Sequence, residues 1–116
     1  MIRQETEKGS VTVTSRVYTD IAGTAAINCF GVKGMAVRSI RDGMYHLLRK
    51  ESVGKGVRVH FHVDKTITID LHIMVDNGVN LNAVGAAIVK EVRYVVQRTT
   101  GTHVRAVNVF VDSMNG

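Results

Sequence analysis

The stretch from residue 57 to residue 111 constrains the fold more than any other part of the chain. Apolar residues occupy every second position in VRVHFHV (57–63) and in TITIDLHIMV (66–75), which is the period of a strand with one buried face. Between 81 and 95 the apolar residues recur at spacings of three and four, which is the period of an amphipathic helix. The final VRAVNVFV (104–111) alternates again, so the stretch predicts strand, strand, helix and strand.

The parity of the first two strands restricts how they pair. A two-residue turn at Asp64 and Lys65 would set the apolar row of one strand beside the polar row of the other. A three-residue loop over 64–66 pairs Val63 with Ile67 instead, and it keeps both apolar rows on one face. The opposite face then carries the polar residues of both strands, which are Arg58, His60, His62, Thr68, Asp70 and His72.

Both ends of the long helix carry sequence signals. An Asp-Asn-Gly turn at 76–78 precedes it, and either Asn80 or Asn82 is the predicted N-cap. Gly101 supplies the left-handed residue that ends it. The predicted buried stripe, which packs on the apolar face of the two strands, consists of Leu81, Val84, Ile88, Val92 and Val95.

The N-terminal half has weaker patterns. Residues 1–9 are polar and mixed in charge, so we predict a flexible segment before a single domain over 10–112. A short strand at 10–14 precedes a helix that begins at Thr14 or Ser15 and runs to about Cys29. The predicted buried face of that helix comprises Val17, Ile21, Ala22, Ala25 and Cys29.

The segment that follows contains a glycine-bracketed turn, GVKG at 31–34. The run at 35–37 fits either a strand or the start of another helix. A short helix is then predicted from the stripe formed by Ile40, Met44, Leu47 and Leu48. The predicted fold class is therefore α+β: a small mixed or antiparallel sheet with helices on one face, in the order strand, helix, short helix, strand, strand, helix, strand.

Composition excludes several classes of protein. The single cysteine, Cys29, permits no internal disulfide and fits a core position better than a nucleophile. No window reaches the roughly 18 apolar residues of a membrane span. The net charge of +5 favours acidic partners, whether nucleic acid, anionic lipid or an acidic protein surface. Carboxylates are scattered and no nucleophile or phosphate-binding motif occurs, so we predict no enzyme and no cofactor.

Three histidines share the predicted polar face. His60, His62 and His72 could offer three nitrogen ligands to zinc, and Asp70 is expected opposite His60. A solvated sheet face that happens to use histidine explains the same pattern. No additional cysteine and no H-E-x-x-H motif supports a metal site, so none is predicted.

The GVKG turn raises a second alternative. The order of elements resembles a KH module, in which a G-x-x-G loop clamps a nucleic-acid backbone. Lys33 lies inside the turn, and Arg38 and Arg41 follow it. A helix stop followed by a turn accounts for the two glycines equally well, so nucleic-acid binding is kept as the alternative function.

Several segments together resemble the alkaline shock protein, or envelope stress response, family of Gram-positive-type bacteria. They are VTVTSRVYTDIAGTAA, FGVKGM, IDLHIMVDNGVNLNAV and TTGTHVRAVNVFVD. The resemblance extends from about Gly9 to Asp112. Within the family, IRDGMYHLLRKE (40–51) is most similar to the short cytosolic members that lack a membrane segment.

The resemblance implies a non-enzymatic accessory or scaffold protein of envelope stress or homeostasis. Such a protein would be cytoplasmic and would act by protein contacts at the inner face of the membrane. Its expected partners are copies of itself and a membrane-anchored or lipid-metabolism protein. No catalytic residues are carried over, and the glycines have structural roles: Gly31 and Gly34 in the turn, Gly78 at the strand-to-helix corner, and Gly101 at the helix stop. Edge strands at 11–14 or 107–111 could pair between copies.

Overall fold

The computed structural model describes residues 1–38, 45–47 and 54–112, and these residues form an α+β fold as predicted. Strands and helices together account for most of them. In chain order the elements are β1 (Ile2–Thr6), β2 (Gly9–Val13), α1 (Ser15–Ile27), β3 (Val32–Arg38), β4 (Tyr45–Leu47), β5 (Val57–Phe61), β6 (Ile67–Val75), α2 (Leu81–Thr100) and β7 (Val104–Asp112).

The main sheet is mixed, and β6 is its central strand. On one side, β7 runs parallel to β6 along nearly its whole length. On the other side, β5 pairs antiparallel with the first half of β6 and β3 pairs antiparallel with its end. The short β4 extends the sheet beyond β3. Because β6 follows β5 through a tight loop and reaches β7 through α2, it acquires partners on both sides.

Both helices pack on one face of this sheet. Alternate residues of β6 point at the helices and are completely buried, namely Ile67, Ile69, Leu71 and Ile73. Helix α1 contributes Tyr18, Ala22 and Ala26 to the same core, and α2 contributes Val84, Ile88, Val92 and Val96. The other face of the sheet carries the histidines, as the alternation in β5 and β6 predicted.

The capping signals of α2 act where the sequence predicted them. Asn80 is the N-cap, because its side-chain Oδ1 accepts a hydrogen bond from the Ala83 N–H at 3.1 Å. Gly101 takes the left-handed conformation, with φ of 74°, and its N–H bonds to the Gln97 carbonyl. The buried stripe agrees at Val84, Ile88 and Val92. It ends at Val96 instead of Val95, and Leu81 is 51% exposed.

The register of the β5–β6 hairpin differs from the prediction by two residues. Phe61 pairs with Ile67, and the His62 N–H donates to the Thr66 carbonyl at 2.9 Å, so the three-residue loop comprises 63–65. Lys65 adopts φ of 69°, which is typical of the last residue in such a loop. A shift of two preserves parity, so the apolar face is unchanged, but Val63 lies in the loop and is fully exposed.

The predicted GVKG turn is shorter than expected. Gly31 ends the turn after α1 with φ of 88°, but Lys33 and Gly34 lie in β3, where a register shift against β6 occurs between Val32 and Gly34. The undecided run at 35–37 therefore belongs to a strand.

The prediction of a short helix after this run is wrong for residues 45–47. Tyr45–Leu47 forms β4 and pairs with β3. The remaining stripe positions Ile40, Met44 and Leu48 lie outside the described residues. Pairing with an available strand edge overrides local helical periodicity here.

The N-terminal segment contains regular structure. β1 pairs antiparallel with β2, and Gln4 donates from Nε2 to the Thr100 carbonyl at 2.7 Å. Residues 1–9 thus include a strand, while their flexibility and the domain boundary at residue 10 stay predictions. In α1 the buried face is centred on Tyr18 and Ala22, whereas Val17 is 42% exposed.

Candidate functional site

The three histidines of the polar sheet face have different neighbours. His60 donates from Nε2 to Asp70 Oδ2 at 2.9 Å, although its direct cross-strand partner is Thr68. His62 Nε2 lies 2.6 Å from the Thr68 hydroxyl. His72 stacks on the Phe110 ring, with centroids 4.9 Å apart. Within the described part of the chain, no three histidine, cysteine or acidic side chains are grouped so that they could hold a metal ion.

Asp70 links three strands across this face. It accepts one hydrogen bond from His60 on β5 and another from Asn108 Nδ2 on β7, each at 2.9 Å. Desolvation raises the pKa of Asp70, but these two hydrogen bonds and the electrostatic attraction of His60 and His72 together outweigh it, so the pKa lies below its ordinary value. The carboxylate is therefore charged and engaged at both oxygens, which suits a structural tie between strands.

A second acidic tie lies at the β5–β6 loop. Asp64 accepts hydrogen bonds from the Thr66 hydroxyl and the Thr66 N–H, and Arg105 NH2 lies 2.9 Å from its other oxygen. These contacts, with those from Thr66 the strongest, lower the pKa of Asp64 from 3.8 to about 2. The loop is thereby joined to the start of β7.

The residues proposed for nucleic-acid binding do not form a loop. Lys33 is exposed but belongs to β3, and Gly34 is buried in the same strand. Arg38 is the last residue of β3, and Arg41 lies outside the described residues. The backbone clamp that a G-x-x-G loop would provide is consequently not present at 31–34.

A groove of about 440 Å³ runs between α1 and α2. Its floor is apolar and its rim carries two acids: the lining residues are Asp20, Ile21, Thr24, Ala25, Asn28, Glu91, Val95 and Thr99. Cys29 lies near its end, and burial, followed by the nearby charge of Glu91, raises the pKa of the thiol. A neutral thiol is a poor nucleophile, so Cys29 is not a catalytic candidate.

Two large apolar side chains near the start of α2, Phe30 and Leu81, are exposed, and they are called the apolar tip here. Phe30 is 91% exposed and Leu81 is 51% exposed. Both lie near the start of α2 because Gly31, which follows Phe30, packs against Val79 and Val84 on either side of Leu81 in the sequence. The prediction from sequence missed the tip, although an aromatic residue immediately before a helix-terminating glycine was its signal.

The turn that carries Phe30 is fixed by its surroundings. A Cβ atom at Gly31 would lie 3.0 Å from Val84 Cγ2 and 3.3 Å from Val79 Cγ1. The Gly31 carbonyl accepts the Asp76 N–H at 3.1 Å, which ties the turn to the end of β6. The positive φ and the close packing together require glycine. Phe30 is thus presented by a preformed turn.

A second apolar surface lies along β7. Among the described strands, β7 pairs with β6 alone. Phe110 is 46% exposed and Val111 is 42% exposed. This edge was one of the two predicted to pair between copies.

These features define a class: a small two-layer α+β domain with exposed large apolar side chains at the tip and along β7. Neither described helix is long and apolar enough to cross a membrane. The chain belongs to the alkaline shock protein 23 family, whose described function is cell envelope-related and whose model matches residues 3–115. The resemblance proposed from the sequence is confirmed.

Bacillus subtilis and Streptococcus pyogenes contain similar proteins. The chain is 34% identical over 114 residues to the uncharacterized protein YloU of Bacillus subtilis (strain 168), which covers 97% of this chain and 94% of YloU. It is 32% identical over 114 residues to the uncharacterized protein Spy1614 of Streptococcus pyogenes serotype M6, with 97% and 93% covered.

Solved structures share the fold at low sequence identity. A variant of MamM-CTD superimposes with a TM-score of 0.51 at 17% identity, and the match covers 86% of this chain and 98% of MamM-CTD. A manganese form of a MamM CTD variant gives a TM-score of 0.50 at 18% identity, with 86% and 99% covered. These structures support the α+β architecture.

Proposed function

We propose that this protein is a non-enzymatic accessory or scaffold protein of the cell envelope. It acts by protein contacts at the inner face of the membrane, where its partner is a membrane-anchored or lipid-metabolism protein, and copies of it associate with one another. Membership of a family with a cell envelope-related function supports the general role. The apolar tip is the observation that carries the contact-making role.

The tip has the properties of a preformed anchor. Phe30 is almost completely exposed, so its burial by a partner would contribute about 1.5–3 kcal/mol. Because Gly31 and Asp76 already hold the turn, little backbone freedom is lost on binding. Aromatic side chains in pockets are frequent energetic centres of protein interfaces.

The sharpest test is crosslinking in cells from the tip itself. A photo-crosslinking amino acid at position 30 should capture an envelope protein, which mass spectrometry would identify. With ordinary chemical crosslinking, Phe30→Ser should reduce the yield of that complex about tenfold or more, because a buried aromatic anchor is worth at least about 1.4 kcal/mol.

Val63→Ser is the matched control. Val63 is also a fully exposed apolar residue in a tight loop, but it lies at the opposite end of β6 from the Phe30 turn. The complex should survive this substitution. Equal yields from both variants, or capture at position 30 of nothing but copies of the chain, would contradict a partner docked on the tip.

The alternative function, nucleic-acid binding through GVKG, loses its structural basis. The clamp requires a loop, and Lys33 and Gly34 lie in β3. Electrostatic attraction from the net charge of +5 persists in any case. It does not distinguish a phosphate backbone from another acidic partner.

A further inference from the structure

Within the described residues, the outer edge of β7 has no partner strand, and its middle lacks the usual protection of an exposed strand. Residues 106–111 read AVNVFV, without charge or proline. Natural sheet edges are generally interrupted by charged residues, proline or bulges, since an uncovered edge pairs with other chains. Among the described residues of β7, charged side chains occur at its two ends, at Arg105 and Asp112. At the start the register also shifts, and Arg93 NH2 donates to the Arg105 carbonyl at 3.4 Å.

An apolar surface continues from this edge onto α2. On the helix-covered side of the sheet, Val109 is partly buried and Val111 is 42% exposed. Beside them lies a shallow groove of about 520 Å³ on α2, lined by Gly85, Ala86, Val89, Lys90, Arg93, Tyr94 and Gln97. In the part of the chain that the structure describes, a strand edge and an adjoining helix face are therefore uncovered side by side.

We propose that two copies of the chain pair through β7, antiparallel, about a two-fold axis at Val109. This pairing rests on the proposed function for the expectation that copies associate. It specifies the surface through which they associate, the symmetry of the dimer and the register of the paired strands. The main sheet then continues from one copy into the other, with the helices of both copies on the same face.

The alternation of side chains along β7 excludes any register of the two copies that is shifted by one residue. A one-residue slip would set valines of one copy beside the Asn108 and Phe110 row of the other, on the wrong face. With the axis at Val109, Val107 of each copy lies opposite Val111 of the other, so three valine pairs extend the apolar layer. An axis at Asn108 or at Phe110 keeps the parity but leaves two valine pairs, and the one at Asn108 also opposes Val111 to Arg105, whose carbonyl already accepts a hydrogen bond from Arg93. The pairing therefore spans residues 106–112.

The side chains of α2 near the two-fold axis are small, so the α2 helices of the two copies can approach each other closely. Gln97 and Arg93 contact the start of β7, so α2 runs antiparallel to it. The four residues from Arg105 to Val109 extend about 13 Å along β7, which corresponds to about nine residues along α2. Counted from Arg93, which contacts Arg105, this distance places the axis close to Gly85 and Ala86. No atom lies within 4 Å of a Cβ position at Gly85. The two α2 helices can thus meet over small residues and enlarge the buried area beyond the strand pair.

The first test is the association state of the full chain by sedimentation velocity over a concentration series. The unmodified protein should form a dimer. Val111→Lys should weaken the dimer Kd by about tenfold or more, because it places a cation among the valine pairs. Val17→Lys is the control, since Val17 has the same 42% exposure and the charge change is identical. A monomer at every concentration, or equal effects of the two variants, would overturn the proposal.

The second test determines the register of the two β7 strands by disulfide crosslinking. Each variant carries Cys29→Ser and one new cysteine. Val109→Cys places two cysteines across the axis with Cα atoms about 5.5 Å apart, within reach of a disulfide. In Val111→Cys the two Cα atoms are about 14 Å apart and the cysteines cannot bond. Mild oxidation should give a covalent dimer only with Val109→Cys. Crosslinking through Val111→Cys instead, or through neither, would refute this register.

The two proposals fail separately. A protein that remains monomeric but keeps its Phe30-dependent complex refutes the β7 pairing and the association of copies, and it leaves the proposed contact role of the tip standing. A protein that dimerises through β7 but captures no partner at the tip refutes the proposed contact role.

Discussion

At the scale of single residues, side-chain hydrogen bonds join segments that are distant in the sequence. Tyr18 on α1 and Thr102 before β7 share a buried hydrogen bond of 2.5 Å between their hydroxyl groups. Asp70 joins β5 to β7 through His60 and Asn108. Within the described residues, the polar side chains of this sheet face are engaged in structural contacts, and each histidine contacts a different side chain.

Asp64 should make stability depend on pH in the acid range. Its pKa is lowered to about 2 from 3.8, so its contribution is fully present above pH 3.8 and is lost as the pH falls toward 2. We expect urea unfolding of Asp64→Asn to show a shallower loss of stability across that interval than the unmodified protein. Glu7→Gln, which removes the same charge from the exposed β1–β2 turn, should retain the original slope. Parallel curves for all three proteins would contradict the assignment.

At the scale of elements, the two ends of α2 follow their local sequence signals more closely than the helix faces do. The N-cap Asn80 and the left-handed Gly101 define α2 as their residue types indicate. The faces depend on what the rest of the molecule brings to them. In α1 the tyrosine at position 18 is buried while the valine at position 17 is 42% exposed, because the sheet and α2 cover one side only.

The capping role of Asn80 predicts a selective effect on α2. Asn80→Ala removes the acceptor of the Ala83 N–H and should lower the free energy of unfolding by about 1 kcal/mol. Asn82→Ala, inside the first turn, should be neutral or slightly stabilising, since alanine is the better helix former. Urea denaturation at one fixed protein concentration measures both. Equal losses at the two positions would show that the cap bond is unimportant.

At the scale of the whole molecule, one sheet separates a buried apolar layer from a polar face. Ile69 and Leu71 are completely buried beneath the helices, and His60 and Arg58 are exposed on the other side. The apolar tip and the β7 edge lie outside this division, where large apolar groups are exposed. Such groups are the ones that a contact-making domain would use.

The two-layer arrangement predicts unequal costs for substitutions on adjacent strands. Ile69→Ala leaves a cavity at the centre of the core and should cost about 2–5 kcal/mol. Arg58→Ala on the exposed face should change stability by less than about 0.5 kcal/mol. Urea unfolding again provides the measurement. Similar costs for the two substitutions would be incompatible with a buried and an exposed side.

The sequence by itself determined the features that depend on neighbours along the chain. The period of two in β5, β6 and β7, the period of near four in α2, and the Asn and Gly signals at its ends are local, so the elements from 57 to 111 were predictable. Parity also assigned the histidines to one face, even though the hairpin register was displaced by two residues.

Only the tertiary structure decided which segments meet. Tyr45–Leu47 becomes a strand because β3 offers it an edge, and Gly34 joins that strand because β6 accepts it. Phe30 is exposed because Gly31 packs beneath the start of α2 and turns the chain outward. Among the described strands, β7 pairs with β6 alone, and it lies parallel to β6 because α2 carries the chain back across the sheet. Each of these outcomes depends on contact with a segment distant in the sequence, and local hydrophobic periodicity does not indicate which distant segments will meet.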